Sequence, residues 1–161
     1  MIRAITPADL PALKTVIDAC GLFPSDMLDD MIAGHFNRQP TAETTGEPTD
    51  ALWLTIDDGT PFAIAYAVPE PMTAGTWNLL LIAVHPDRQH QGHGSALTRH
   101  IEHVLSTRGV RILLVETSGL ASFERTRAVY DRLGFEREAR IRDFYAAGED
   151  KIVFRKALAA T

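Results

Sequence analysis

The residues with the clearest chemical potential stand together in Arg88-Gln89-His90-Gln91-Gly92-His93-Gly94-Ser95. Two glycines there let the backbone come close to a ligand. The periodicity that follows predicts a helix from about Gly92, whose first-turn N–H groups lack intrahelical acceptors and point into the same loop. Hydrogen bonds and the helix dipole together make such a terminus a seat for phosphate. A Walker A loop needs Lys and then Ser or Thr after its last glycine, where this chain has Ser95-Ala96. A dinucleotide turn needs a third glycine three residues beyond Gly94, where Leu97 stands. The pattern left is Gln-x-x-Gly-x-Gly.

Acid and base candidates are sparser. Glu116 ends an apolar run, at the carboxyl end of a strand where open α/β sheets collect ligands. The residues alone leave it open between a general base and a solvated strand-end carboxylate. Tyr130 stands near Phe123, Val129 and Leu133 at helical spacings, which by pattern reads as a buried tyrosine with one satisfied hydroxyl. His90, His93, His100 and His103 cluster around the loop and its helix. No cysteine or carboxylate completes a ligand set with them, so solvated histidines and no metal are expected.

These residues need elements to position them. Ile2 to Ile5 reads as a first strand, and Thr6-Pro7-Ala8-Asp9 supplies the cap, proline and acid of a helix start. That helix runs to about Cys20 and stops at Gly21. Ser25 is placed to cap a second helix carrying Met27, Leu28, Met31 and Ile32. Asn37 to Asp50 has no apolar period and reads as a loop. Strands are expected over Leu52 to Asp57, Phe62 to Val68 and Trp77 to Val84. After the glycine loop come a helix to Thr107, a strand from Arg111 to Glu116 and a helix from Ser122 to Leu133. A hairpin with core alternation then turns at Ala147-Gly148-Glu149. The order predicts an α/β (α+β) fold with a mixed, mostly antiparallel central sheet of about seven strands and helices on both faces.

Composition bounds the rest. With 161 residues, 45% of them apolar and 23% charged, the chain is expected to form one globular domain over residues 1–161. A net charge of −5 gives no support to nucleic-acid binding. No apolar run approaches the roughly twenty residues that span a bilayer. One cysteine and no leader-like N-terminus make the cytoplasm the expected compartment.

Gln89, Gly92 and Gly94 after Val84-His85-Pro86, together with Ala128-Val129-Tyr130-Asp131-Arg132-Leu133-Gly134-Phe135, resemble the two signatures of the GNAT superfamily of N-acetyltransferases. That resemblance implies acetyl-CoA as cosubstrate, with its pyrophosphate on Gln89, His90, Gln91, Gly92, His93, Gly94 and Ser95. It implies a strand that splays from its neighbour near Val84, with backbone groups of Ile82, Ala83 and Val84 pairing with pantetheine. It makes Tyr130 the acid that protonates the departing thiolate and Glu116 the candidate base, since Leu79 to Ile82 offers no carboxylate. Trp77, Asn78 and Tyr145 are placed at the acceptor site, and pairing of two copies into a homodimer is implied as well. Many relatives carry an Asn after the Glu116 strand, where this chain has Thr117-Ser118-Gly119-Leu120-Ala121-Ser122. The expected reaction is acetyl transfer to a primary amine of a small molecule or peptide. The competing reading is an acyl-CoA-binding or sensing domain with little transferase activity.

Overall fold

The computed structural model describes residues 1–36 and 51–159, so the expected loop at Asn37 to Asp50 lies outside them. The described elements are strand β1 (Ile2–Ala4), a 3-10 turn (Pro7–Asp9), helices α1 (Leu10–Cys20) and α2 (Met27–Phe36), and strands β2 (Leu52–Asp57), β3 (Pro61–Pro69) and β4 (Thr76–Val84). Helix α3 (His93–Thr107), strand β5 (Ile112–Ser118), helix α4 (Glu124–Arg132) and strands β6 (Glu136–Ala146) and β7 (Glu149–Ala157) follow. The seven strands are ordered β1-β2-β3-β4-β5-β7-β6. Among the described strand pairs β4 and β5 run parallel, from Thr76↔Ile112 to Leu79↔Val115. That ladder goes no further, although β4 runs on to Val84 and β5 to Ser118.

The residues fall into two compact units, Met1–Val68 with Leu81–His100, and Pro69–Leu80 with Ile101–Thr161. In the first, Leu13, Val16 and Ile17 of α1 and Leu28 and Ile32 of α2 pack with Ile5, Trp53, Ile64, Leu81 and Ala83. The helical spacing of those residues is what turns one face of each helix inward. The start of α1 is built as its sequence suggests: Asp9 Oδ2 accepts from the Thr6 N–H at 2.7 Å and from its hydroxyl at 3.0 Å. Gly21 ends the helix in the left-handed region at φ 63°. Ser25 departs from expectation, because its hydroxyl donates to Asp18 Oδ2 at 2.9 Å instead of capping α2. Arg3 pairs with Asp9 at 2.7 Å and Asp57 at 2.6 Å, tying β1, the turn and β2 together.

In the second unit Leu105 of α3, Leu113 of β5 and Phe154 of β7 are fully buried. β7 pairs antiparallel with β5 and β6, and Val115↔Phe154 and Glu116↔Val153 fix which side chains share a face. β6 corrects the expected core alternation, since it is exposed along its whole length, with Phe144 50% and Tyr145 45% exposed. It lies at the end of the strand order, and its register with β7 slips between Arg137 and Ala139 and again between Ile141 and Ala146. Such bulges break the two-residue period that alternation assumes.

Candidate active site

The glycine loop belongs to the first unit. Its two glycines do different things. Gly92 takes φ 82°, a left-handed conformation that other residues reach at a cost. Gly94 lies inside α3 without a positive φ, and no described atom beyond the helix's own backbone lies within 4 Å of a Cβ built there. The fold therefore does not require Gly94, which in a helix costs about 0.5–1 kcal/mol relative to alanine. Absence of a side chain at that point fits a ligand that lies against the backbone. The first bond of α3 is donated by Ala96 to the Gly92 carbonyl at 3.0 Å, so the amides of His93, Gly94 and Ser95 precede the ladder. Open amides, a helix start and missing side chains are the donor set that a diphosphate needs.

Gln89 has a bracing role: its Nε2 donates to the Val84 carbonyl at 2.9 Å. The Cys20 thiol, at the end of α1, donates to the same carbonyl at 3.3 Å. The Val84 oxygen thus already has two donors. His90 also sits at positive φ, 61°, and the His93 ring meets Phe62 edge-on at 4.8 Å. Beside the loop Arg88 stacks on Phe62 at 3.9 Å and pairs with Asp58 at 2.7 Å, on the rim of a cleft of about 340 Å³ that Thr15, Val16 and His85 also line. Among the described residues no group of three or more His, Cys, Asp or Glu is arranged to hold a metal.

Tyr130, Glu116, Asn78 and Tyr145 belong to the second unit. The Tyr130 ring lies 5.6 Å from Phe135 and 5.3 Å from Phe154 and is 4% exposed. Burial pushes its phenol well above the ordinary tyrosine range, so it remains protonated. Its hydroxyl has no hydrogen-bond partner among the described residues, so the expected satisfied hydroxyl is not found. Glu116 lies on the opposite face of β5, because it pairs in register with Val153 while Tyr130 packs on Phe154. Glu116 Oε1 accepts from Asn78 Nδ2 at 2.8 Å, and the same amide donates to Glu70 Oε1 at 3.0 Å. Lys151 Nζ donates to Glu116 Oε2 at 3.0 Å. Burial, then the charges of Glu116 and Glu149, raise the Tyr145 phenol, which places Tyr145 in the same electrostatic neighbourhood. Trp77 faces the other way, 3% exposed, with the Arg108 guanidinium 5.9 Å from its ring.

The sequence profile of the acetyltransferase (GNAT) domain matches residues 48–137. The [ribosomal protein bS18]-alanine N-acetyltransferase of Escherichia coli strain K12 is 39% identical over 145 residues, 89% of this chain and 86% of that one. The chain belongs to the GNAT acetyltransferases. Its reaction is transfer of an acetyl group to an amine. A GNAT-family structure from Desulfovibrio desulfuricans superposes with TM-score 0.83 and 32% identity over 99% of both chains. The crystal structure of the Escherichia coli ribosomal-protein-S18-alanine N-acetyltransferase superposes with TM-score 0.76 over 100% of this chain and 95% of that one. Identity over that superposition is 26%, lower than in the sequence alignment, which covers fewer residues of this chain.

The acetyltransferase departs from the common pattern after β5, and the structure accounts for the residues there. Ser118 Oγ accepts from the Leu120 N–H at 3.1 Å, and Arg127 donates to the carbonyls of Ser118 and Leu120, each at 2.8 Å. The loop is thus braced from within, and the Ser118 hydroxyl is already engaged. Sequence reasoning assigned no role to Lys151 or Glu70. For the first the sequence offers little signal, since Lys151 stands between Asp150 and Ile152 in a strand of mostly half-buried residues. The second had none, because its link to Glu116 runs through Asn78. No helix among the described residues is long and apolar enough to cross a membrane.

Proposed function

We propose that the donor is acetyl-CoA, with its pyrophosphate on the amides at the start of α3 and its pantetheine along the backbone of Ile82, Ala83 and Val84. Acetyl-CoA supplies an acyl group activated as a thioester. Glu116 takes the proton of the acceptor ammonium, and Tyr130 gives its proton to the departing sulfur. Asn78 and Tyr145 line the approach of the amine, with Trp77 packed behind them. The acceptor is a primary amine, and a peptide beginning with alanine is the first candidate, since the Escherichia coli relative is named for an alanine of bS18. Residues 1–161 act as one domain in the cytoplasm, with acetyl-CoA and the amine as partners.

The observation that carries this reading is Gly94, a glycine that neither backbone angle nor packing requires. The test is calorimetric titration of CoA into the wild type and Gly94→Leu, alongside thiol release from acetyl-CoA with an amine panel headed by an alanine-initiated peptide. Gly94→Leu is expected to keep its Tm and lose at least tenfold in CoA affinity. Equal affinity in the folded variant removes the loop from the donor site. Tight CoA binding with no amine-dependent thiol release favours the sensing domain instead.

A further inference from the structure

The assignment of Glu116 as base leaves Lys151 unexplained. Lys151 is 9% exposed, which is rare for a lysine and costs solvation unless its charge is matched. Its Nζ reaches Glu116 Oε2 at 3.0 Å and lies 4.1 Å from the centre of the Phe144 ring, a position that favours a cation. The register Ser118↔Lys151 and Glu116↔Val153 puts Lys151 and Glu116 on one face of adjacent strands, one diagonal step apart. The other oxygen, Oε1, is held by Asn78 Nδ2 at 2.8 Å, and Asn78 is 2% exposed. Each carboxylate oxygen therefore has its own buried donor, one on β4 and one on β7. A solvated strand-end carboxylate needs neither.

We propose that Lys151 is the positioning residue for the Glu116 carboxylate, fixing its Oε2 while Asn78 holds Oε1. The inference rests on Glu116 acting as base, and acts through that group alone. The ionisable groups that face Glu116 are Lys151 on β7, Tyr145 on β6, Glu149 through Tyr145, and Glu70 through the shared Asn78 amide. Lys151 is the cation among them. Its removal leaves Glu116 beside two carboxylates and a phenol with no positive charge to oppose them. Oε2 also loses its donor, so the carboxylate is no longer fixed by both oxygens.

The experiment compares wild type, Lys151→Met, Lys151→Arg and Glu116→Gln in the full chain. Met keeps the buried stem without the charge, and Arg keeps the charge. Thiol release with an alanine-initiated peptide gives kcat and KM, while CoA calorimetry and Tm report the donor site and the fold. In Lys151→Met kcat and kcat/KM are expected to fall about tenfold while Tm and CoA affinity hold. Lys151→Arg is expected to restore both. Equal kcat in wild type and Lys151→Met overturns the proposal when Glu116→Gln has lost at least about a hundredfold in kcat, as does a Lys151→Arg variant that recovers none of the loss. Unchanged turnover of Glu116→Gln is the separate failure of the base assignment, and the positioning role falls with it.

Discussion

Replacing Tyr130 with Phe removes one oxygen and leaves the ring where it is. The ring is held by Phe135 and Phe154 at 5.6 and 5.3 Å, contacts that Phe keeps. The lost hydroxyl has no hydrogen-bond partner among the described residues, so deletion costs stability less than about 1 kcal/mol. Loss of a positioned acid lowers rates by about 10²–10⁴ in general. A thiolate leaves more readily than an alkoxide, which places this case at about tenfold to a hundredfold in kcat. CoA affinity should stay within about twofold, a difference below 0.5 kcal/mol. Steady-state thiol release and CoA calorimetry on both proteins separate the two effects.

The pH dependence adds a check that activity alone does not give. Burial raises the Tyr130 phenol above its unfolded value of 10.0. A folded value above the unfolded one means that the stabilisation is complete below pH 10 and is lost as pH rises beyond it. Phe does not titrate. The Tm of Tyr130→Phe should therefore gain on that of the wild type only above pH 10, while the two kcat profiles run parallel near neutrality. Equal kcat across pH would falsify the acid assignment. A parallel fall in CoA affinity would make Tyr130 a packing residue of the donor site.

Two further outcomes follow from local geometry. Gly92→Ala should cost about 1 kcal/mol in chemical denaturation, because φ 82° is unfavourable for a residue with a Cβ, whereas Gly94→Ala should gain about 0.5–1 kcal/mol. The reverse order would mean that the loop backbone is not as described. Arg3→Ala leaves Asp9 without its guanidinium and should cost about 2 kcal/mol, between the values for exposed and buried pairs. The Arg3 guanidinium holds the Asp9 carboxyl far below its usual 3.8, so its contribution is present above that pH and fades as pH falls below it. Melting curves between pH 6 and 3 should accordingly be steeper in pH for the wild type than for Arg3→Ala.

The proposed donor loop was legible in its fold, a turn leading into a helix start, because backbone access is written in glycines. The start of α1 was legible for the same reason, since Thr6 and Asp9 are close in sequence and their bonds are local. Tyr130 could be placed on a helix from spacing, but the sequence pattern gave a satisfied hydroxyl where the structure has none among the described residues. Contacts made by register escaped notice. Lys151 reaches Glu116 only because β7 pairs with β5 in the register Ser118↔Lys151, and Cys20 reaches Val84 only through tertiary packing. The alternation of β6 suggested a core strand, yet burial depends on what lies on either side, and β6 has a partner on one side alone.

That dependence on register places the proposed acid, Tyr130, and the proposed base, Glu116, on opposite faces of β5. Val115 and Glu116 are neighbours, and in a strand neighbours face opposite sides. Val115 pairs with Phe154, the ring against which Tyr130 rests, and Glu116 pairs with Val153, two residues from Lys151. One pairing therefore supports the acid's packing and the base's ion pair at once. A slip of β7 by one residue would bring Ile152 to the position of Lys151 and turn the lysine toward the buried face. There the ammonium would lose the Glu116 carboxylate, and the cost of burying it unpaired guards the register. The Lys151 and Glu116 pair is thus tied to fold specificity as well as to the base. A Lys151→Met variant that kept its Tm but lost the single-register amide spectrum of β7 would separate those two contributions.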